Sequence, residues 1–308
     1  MKNVGMKPDS LRSAVAAARF YAPPYCLRRV AARDTEKGDP QASARIAGIL
    51  AAKRTDELLP LCHPLPIHAA EVHFAVEPDH VAIEAEVHTI GPTGVEMEAL
   101  TAASMAALTL YDMLKPYAEP EALRIDDIHL VEKQGGKSHY TRRLKSALPA
   151  TVLMVSTPVA DGNKRDTAGR AVVDGLIEAG FDPIDYRVLP DDPDPVGAAV
   201  DQAVAGAVSL IVTVGGTGIG PKDKVVETVE PRLTTPMPGL MEAARAFGQR
   251  RTPHAALSRG VSGFIGNSLT LTFPGSSAGA EETLAALLPS MIHVLEIHRR
   301  FSADAQSD

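Results

Sequence analysis

Between Gly91 and Lys115 the chain reads GPTGVEMEALTAASMAALTLYDMLK, and no other stretch restricts the fold as much. A Gly-Pro-Thr-Gly turn opens it, and the Ala, Leu and Met residues that follow favour a helix. The run is apolar almost all the way round, so the helix is expected to be buried against protein on more than one side. Its charges stand at the ends, Glu96 and Glu98 near the start and Asp112 and Lys115 near the finish. Asp112 and Lys115 are three apart and share one face. Taken alone, charges at the margins of an apolar rod serve as caps as readily as they serve chemistry. About 20 Å of helix separates the two pairs at 1.5 Å per residue, which is long for one compact site. Either the two ends belong to different sites, or a neighbouring subunit brings them together.

A chain of 308 residues with 45% hydrophobic content is long enough for two ordinary cores. A formal net charge of −7, 4% aromatic residues and no Trp argue against a general nucleic-acid binder, which wants basic excess and stacking platforms. An anionic small substrate needs only a local cluster of cations and is not excluded. Cys26 and Cys62 are too few for a disulfide framework or a cysteine-rich zinc site. The first residues lack the apolar core of a signal peptide, and no apolar run is long enough to span a bilayer. A soluble, cytoplasmic protein is expected.

In chain order, Ser10 is expected to cap a short helix carrying Leu11, Val15 and Ala18, and Tyr25 to Ala32 to form a strand. Asp39-Pro40 opens a helix with an acidic N-cap and a first-turn proline, and Lys53 and Arg54 close it. The prolines of LPLCHPLP make a stiff connection around His63. Glu71 to Glu77 and Val81 to Thr89 alternate apolar with polar and predict a hairpin. After the central helix, Ile125 to Glu132 reads as a further strand. The basic stretch 139–149 predicts a linker between a first domain, 1–138, and a second, 150–308. The second alternates strand with helix, which means a mostly parallel sheet with helices on both faces. Val152 to Ser156, Ile184 to Leu189, Ser209 to Val214 and Leu269 to Phe273 are its strands. No internal repeat relates the two halves.

In the first half, Lys37, His63, Lys115, Lys133 and Lys137 flank turns or helix ends, where a lysine can reach a phosphate as a point charge. Each alone is more often a surface lysine or a structural histidine. Glu96 and Glu98 point the same way if their segment is extended and apart if it is helical. In the second half, GGTGIG after a buried strand fits a backbone cradle for phosphate. It lacks the Gly-Lys-Ser/Thr of a Walker loop and the spacing of a dinucleotide fingerprint. Pro274-Gly275-Ser276 is a second such turn, and Asp191 and Asp223 stand at strand ends, as a magnesium–nucleotide site would require.

Together, KGDPQASARIAGILAAKRTDELLPLCHPLPI, TGVEMEALTAASMAALTLYDMLK and KQGGKS closely resemble cyclic pyranopterin monophosphate synthase, the MoaC family of molybdenum cofactor biosynthesis, over nearly all of residues 10–138. The resemblance implies an α+β ferredoxin-like fold, assembly as a hexamer with active sites between subunits, and a lyase reaction. That reaction converts a 3′,8-cyclised dihydroguanosine triphosphate into cyclic pyranopterin monophosphate and diphosphate. On this resemblance Asp112, Lys115 and Lys37 fall on catalytic positions. Leu61, Cys62, His63, Glu96, Met97, Glu98, Lys133 and Arg12 fall on substrate-binding ones.

VTVGGTGIGPKD, MPGLMEAAR, ALSRGV and FPGSS resemble the MoaB/Mog family of molybdopterin-binding proteins, and the whole chain is similar to fusions of the two families. This implies a three-layer α/β domain with a mostly parallel sheet, trimeric in relatives, that binds molybdopterin. In active relatives it adenylylates the pterin with ATP and magnesium. The implied site comprises Asp191, Gly215, Gly216, Thr217, Gly218, Asp223, Pro274, Gly275 and Ser276, with magnesium near the two aspartates and no tightly bound cofactor. Two departures bear on catalysis. Val225-Val226 stand where the family carries Thr-Pro, and Thr157-Pro158 replace an acidic residue after the first strand. The alternative to a second enzyme is a scaffold that only oligomerises and hands over pterin.

Overall fold

In the computed structural model, residues 1–136 and 143–304 are described, and the chain divides into two compact units, Met1–Tyr140 and Thr141–Asp308. Lys137 and the start of the expected linker lie outside the described residues. The linker's later part belongs to the second unit's fold, with Leu144 buried and its N–H donating to the Ala179 carbonyl at 2.8 Å.

The first unit comprises β1 (Ser10–Tyr21), α1 (Pro24–Ala32), α2 (Pro40–Lys53), α3 (Thr55–Leu58), β2 (Ala69–Val76), β3 (His80–Gly91), α4 (Glu96–Leu114) and β4 (Arg124–Gln134). Its four strands form an antiparallel sheet in the order β2-β3-β1-β4. The expected hairpin is β2–β3, and the Asp39 cap of α2 is present, its carboxylate accepting the N–H groups of Gln41 and Ala42.

Two local expectations are overturned. The segment from Ser10 is a strand rather than a helix. Its alanines favour a helix taken alone, but Ala14, Ala16, Ala18 and Phe20 alternate into the core while both strand edges pair with β3 and β4. Tyr25 to Ala32 is helical rather than extended. Pro24 stands in its first turn, and Cys26, Leu27 and Val30 bury one helical face.

The central helix is α4, and its small residues decide how it packs. Ala99, Ala102, Ala103, Ala106 and Ala107 are buried in the core shared with α2 and the sheet. On α2, Gly48 lies so close that an added Cβ would stand 2.9 Å from the Ala102 carbonyl oxygen. The burial is not complete all round, because Met97 and Leu108 are exposed.

The second unit comprises β5 (Leu148–Val155), α5 (Thr157–Ala160), α6 (Ala168–Glu178), β6 (Phe181–Leu189), α7 (Pro193–Ala205), β7 (Leu210–Val214), α8 (Val225–Val229), β8 (Thr235–Pro236), α9 (Pro238–Gln249), β9 (Ser262–Ile265), β10 (Ser268–Phe273) and α10 (Ser277–Asp304). The six-stranded sheet runs β6-β5-β7-β10-β9-β8, parallel from β6 to β10, with β9 antiparallel to both β10 and β8. Residues alternate between two cores. Val152, Met154, Val212 and Leu271 meet α6, α9 and α10, whereas Leu153, Val155 and Ile211 meet α7 and α8. The loops after β5, β7 and β10 therefore emerge side by side at the C-terminal edge of the parallel strands, where such folds place ligands. No helix among the described residues is long and apolar enough to cross a membrane.

Candidate active sites

At the C-terminal end of α4, Asp112 is gripped by two lysines. Lys37 Nζ donates to its Oδ2 at 2.7 Å and to its backbone carbonyl at 3.0 Å, and Lys115 Nζ stands 2.8 Å from its Oδ1. Lys37 is presented by a tight turn in which Thr35 Oγ1 donates to the Gly38 carbonyl at 2.7 Å. The turn is fastened to the end of α4 because the Glu36 N–H donates to the Tyr117 hydroxyl at 2.6 Å, and Arg29 lies 4.2 Å over the Tyr117 ring. Lys115 and then Lys37 draw the Asp112 carboxyl down to about 2, and Asp112 in turn raises the Lys115 ammonium. All three side chains are about half exposed. Asp112 thus favours the charged form of Lys115, which is poised to give a proton rather than to take one.

The other end of α4 gathers a different group. The helix starts at Glu96, so the two glutamates diverge. Glu96 turns outward to Lys133, 3.1 Å away, and Glu98 turns inward and is 4% exposed. Burial, with Glu96 and Asp56 nearby, raises the Glu98 carboxyl. The Cys62 thiol is raised mainly by burial and then by Glu98, which keeps it a poor nucleophile. His63 Nε2 lies 2.7 Å from the Lys2 carbonyl, while Leu61 and Met97 are exposed. Arg12 reaches across from β1, its guanidinium donating to the Gly91 and Pro92 carbonyls at 3.3 and 3.4 Å. Within one chain these residues do not join Lys37, Asp112 and Lys115, because the helix from Glu98 to Asp112 is about 21 Å long at 1.5 Å per residue.

In the second unit, GGTGIG leaves β7 through two residues that need positive φ, Gly215 at 108° and Gly216 at 64°. A Cβ on Gly215 would collide with the Val155 carbonyl, and its N–H donates to the Phe273 carbonyl at 2.9 Å. The loop lines a cavity of about 460 Å³ with Thr217, Gly218 and Asp223, faced by Pro274, Gly275 and Ser276 and by Met241, Arg245 and Glu282. Asp191 is not in it. It borders a separate tight cleft with Lys222 and Lys224. Its Oδ2 accepts the Thr157 N–H at 2.7 Å, and its own N–H donates to Thr157 Oγ1 at 2.9 Å. Asp223 Oδ2 accepts the Gly220 N–H at 2.7 Å. Each carboxylate keeps a second oxygen, which fits a magnesium ion held mainly by phosphate and water. No group of three or more His, Cys, Asp or Glu among the described residues could hold a metal unaided.

The MoaC family model matches residues 1–136, and the model of a probable molybdopterin binding domain matches residues 151–293. The molybdenum cofactor biosynthesis bifunctional protein of Chlorobaculum tepidum is 38% identical over 296 residues, covering 95% of this chain and 92% of that protein. The chain belongs to the family of bifunctional molybdenum cofactor biosynthesis proteins. The Synechococcus elongatus member is 36% identical over 96% of this chain and 97% of its own length. Cyclic pyranopterin monophosphate synthase of Heliobacterium modesticaldum is 52% identical over 145 residues, 46% of this chain and 90% of that enzyme. Among solved structures, the molybdopterin biosynthesis Mog protein of Mycobacterium ulcerans is 37% identical, covering 49% of this chain and 99% of that one, at a TM-score of 0.48.

Within this bifunctional chain, sequence reasoning missed the groups that hold the loops in place. Arg259 clamps the GGTGIG loop, its Nε donating to the Gly218 carbonyl, one terminal nitrogen to the Asp223 carbonyl and the other to Glu227, at 2.8, 2.8 and 2.6 Å. The ALSRGV motif contained it, but only the fold shows its targets. Tyr117 and Arg29 do the same for the Lys37 turn and carried no motif signal at all.

The paired lysines set a pH dependence with a definite sign. The Asp112 carboxyl is held below its ordinary 3.8, so the ion pairs are intact above about pH 4 and are lost as pH falls toward 2. In carboxyl ¹³C NMR, Asp112 should titrate near 2 in the native chain and move back toward 3.8 in Lys115→Ala. An Asp112 titrating at its ordinary value in the native chain would contradict the geometry.

Proposed function

We propose that the N-terminal unit is a cyclic pyranopterin monophosphate synthase, a lyase turning (8S)-3′,8-cyclo-7,8-dihydroguanosine 5′-triphosphate into cyclic pyranopterin monophosphate and diphosphate. The observation that carries this is Asp112 held between Lys37 and Lys115, on a chain whose relatives bear that enzyme's name. A triphosphate losing diphosphate needs cations around the developing charge. Lys37, Lys133 and Arg12, with His63, are placed to supply them. Lys115 gives the proton to the rearranging ring, and Asp112 holds it charged. Leu61, Cys62, Glu96, Met97 and Glu98 shape the base-binding end. The strand order β2-β3-β1-β4 with helices between strands supports a ferredoxin-like reading of residues 1–138.

Because the two groups lie at opposite ends of α4, each complete site draws one end from each of two subunits. A trimer-forming second half and a hexamer-forming first half are compatible with one threefold axis, which predicts a hexamer. We place the protein in the cytoplasm, where its soluble substrates would be met.

Residues 150–308, read as a three-layer α/β domain, bind molybdopterin in the cavity beside GGTGIG. A second reading, adenylylation of the pterin with ATP and magnesium, is favoured by Asp191 and Asp223 standing in loops at the C-terminal edge of the sheet. Asp191 lies outside that cavity, in a separate cleft, so binding is the function supported best.

Two experiments test these readings. Purified Lys115→Ala should turn over the cyclic triphosphate about 10²–10⁴-fold more slowly, the usual scale for losing a general acid. Lys115→Arg should not restore the rate, because arginine keeps the charge and cannot give up the proton. Turnover near the native rate in either variant sinks the assignment. For the second half, full-length protein incubated with molybdopterin, ATP and magnesium should retain the pterin and yield no adenylylated product. Formation of that product would establish the second activity instead.

A further inference from the structure

A second concave surface in the C-terminal unit plays no part in the pterin reading. It is a groove of about 730 Å³ beside the loop before α6, and Lys164, Arg165 and Arg170 all border it. Asp166 organises its floor. One carboxylate oxygen accepts the Gly169 N–H at 2.8 Å at the start of α6, and the other accepts the Tyr186 hydroxyl. Burial and Asp166 hold the Tyr186 phenol well above its ordinary range, so it remains a donor. The fixed Tyr186 ring supports the Arg170 guanidinium, 4.3 Å above it.

This arrangement leaves charge unspent. Arg170 makes no hydrogen bond or ion pair through its guanidinium among the described residues, so its fork of donors is held in place and unused. Asp174, one turn further along α6, makes no ion pair with it. The Lys164 and Arg165 side chains likewise meet no carboxylate, although the Lys164 backbone is anchored to the Pro158 carbonyl at 2.9 Å. Both oxygens of the remaining acid, Asp166, are already taken. Three cations sharing a concave wall repel one another until an anion enters. A stacked, pre-positioned arginine matches the geometry of a tetrahedral oxyanion. The groove also adjoins the pterin cavity, since Thr167 on its rim shares a 2.5 Å hydroxyl contact with Ser277, next to the cavity-lining Ser276.

We propose that this groove is a binding site for a tetrahedral oxyanion, either the phosphate group of a small molecule or a free inorganic oxyanion, with Arg170 as its central ligand and Lys164 and Arg165 as flanking cations. The proposal stands on this groove alone and survives if the pterin reading fails.

The test uses the full chain carrying Lys37→Ala and Lys115→Ala, which silences the cations at the end of α4. Isothermal titration at low salt, where charge contacts are least screened, is run with tripolyphosphate, inorganic phosphate and molybdate. Saturable binding of at least one is expected, weakened about tenfold by Arg170→Ala as for the loss of a charge-assisted pair. Arg170→Lys should restore part of it, and the exposed-loop double variant Lys164→Ala/Arg165→Ala should weaken it as well. Tighter binding of tripolyphosphate assigns the site to phosphate-bearing molecules, and equal or tighter binding of phosphate or molybdate assigns it to free oxyanions. No saturable binding in the parent, or an affinity unchanged by Arg170→Ala, overturns the proposal.

Discussion

The close approach of α4 to its neighbours is the constraint on which the N-terminal unit depends. A stripe of alanines lets the helix lie against the sheet and α2 together, with Gly48 closing the last gap. Once seated, α4 cannot slide without driving backbone into backbone, so its two ends are fixed in space. The Asp112–Lys115 face, the docking of the Lys37 turn through Tyr117, and the divergence of Glu96 from Glu98 all follow from that placement. The helix acts as a ruler that holds its two charged ends about 21 Å apart at 1.5 Å per residue.

The second unit solves a different problem by different means. Its cavity is bordered by GGTGIG and Pro274-Gly275-Ser276, which leave adjacent strands, and by Met241, Arg245 and Glu282, while Arg259 spends its whole guanidinium on keeping one loop in position. Glycine is needed there because the φ values of Gly215 and Gly216 and the nearby Val155 carbonyl leave no place for a side chain. Asp191 and Asp223 both have backbone N–H groups as partners, which makes them parts of the scaffold as well as candidate ligands.

What could be read from the sequence divides along physical lines. The α2 cap, the β2–β3 hairpin, α4 and the strand–helix alternation were legible because each is set by local chemistry: an N-cap acid, a period of two, helix-forming residues, glycine after a buried strand. The strand β1 was not, because its alanines favour a helix and only pairing on both edges selects the extended form. Tyr25 to Ala32 failed in the opposite sense, because a short apolar run carries too few residues to separate a period of 3.6 from one of two. Family resemblance pointed to the charged residues at the ends of α4, but neither it nor spacing revealed Tyr117, Arg29 or Arg259. Those residues act on loops distant in sequence, so their partners exist only in the folded chain.

The central claim is that a complete synthase site takes the Lys115 end of α4 from one chain and the Lys133 end from another. The most direct measurement is complementation between two inactive variants, Lys115→Ala and Lys133→Ala, unfolded together, refolded as mixed oligomers and assayed for diphosphate release. Shared sites predict that random mixing restores about a quarter of native activity, since half the pairs are mixed and each of these contains one intact site. Mixed oligomers as inactive as either parent would show that each chain completes its own site, and would contradict the account.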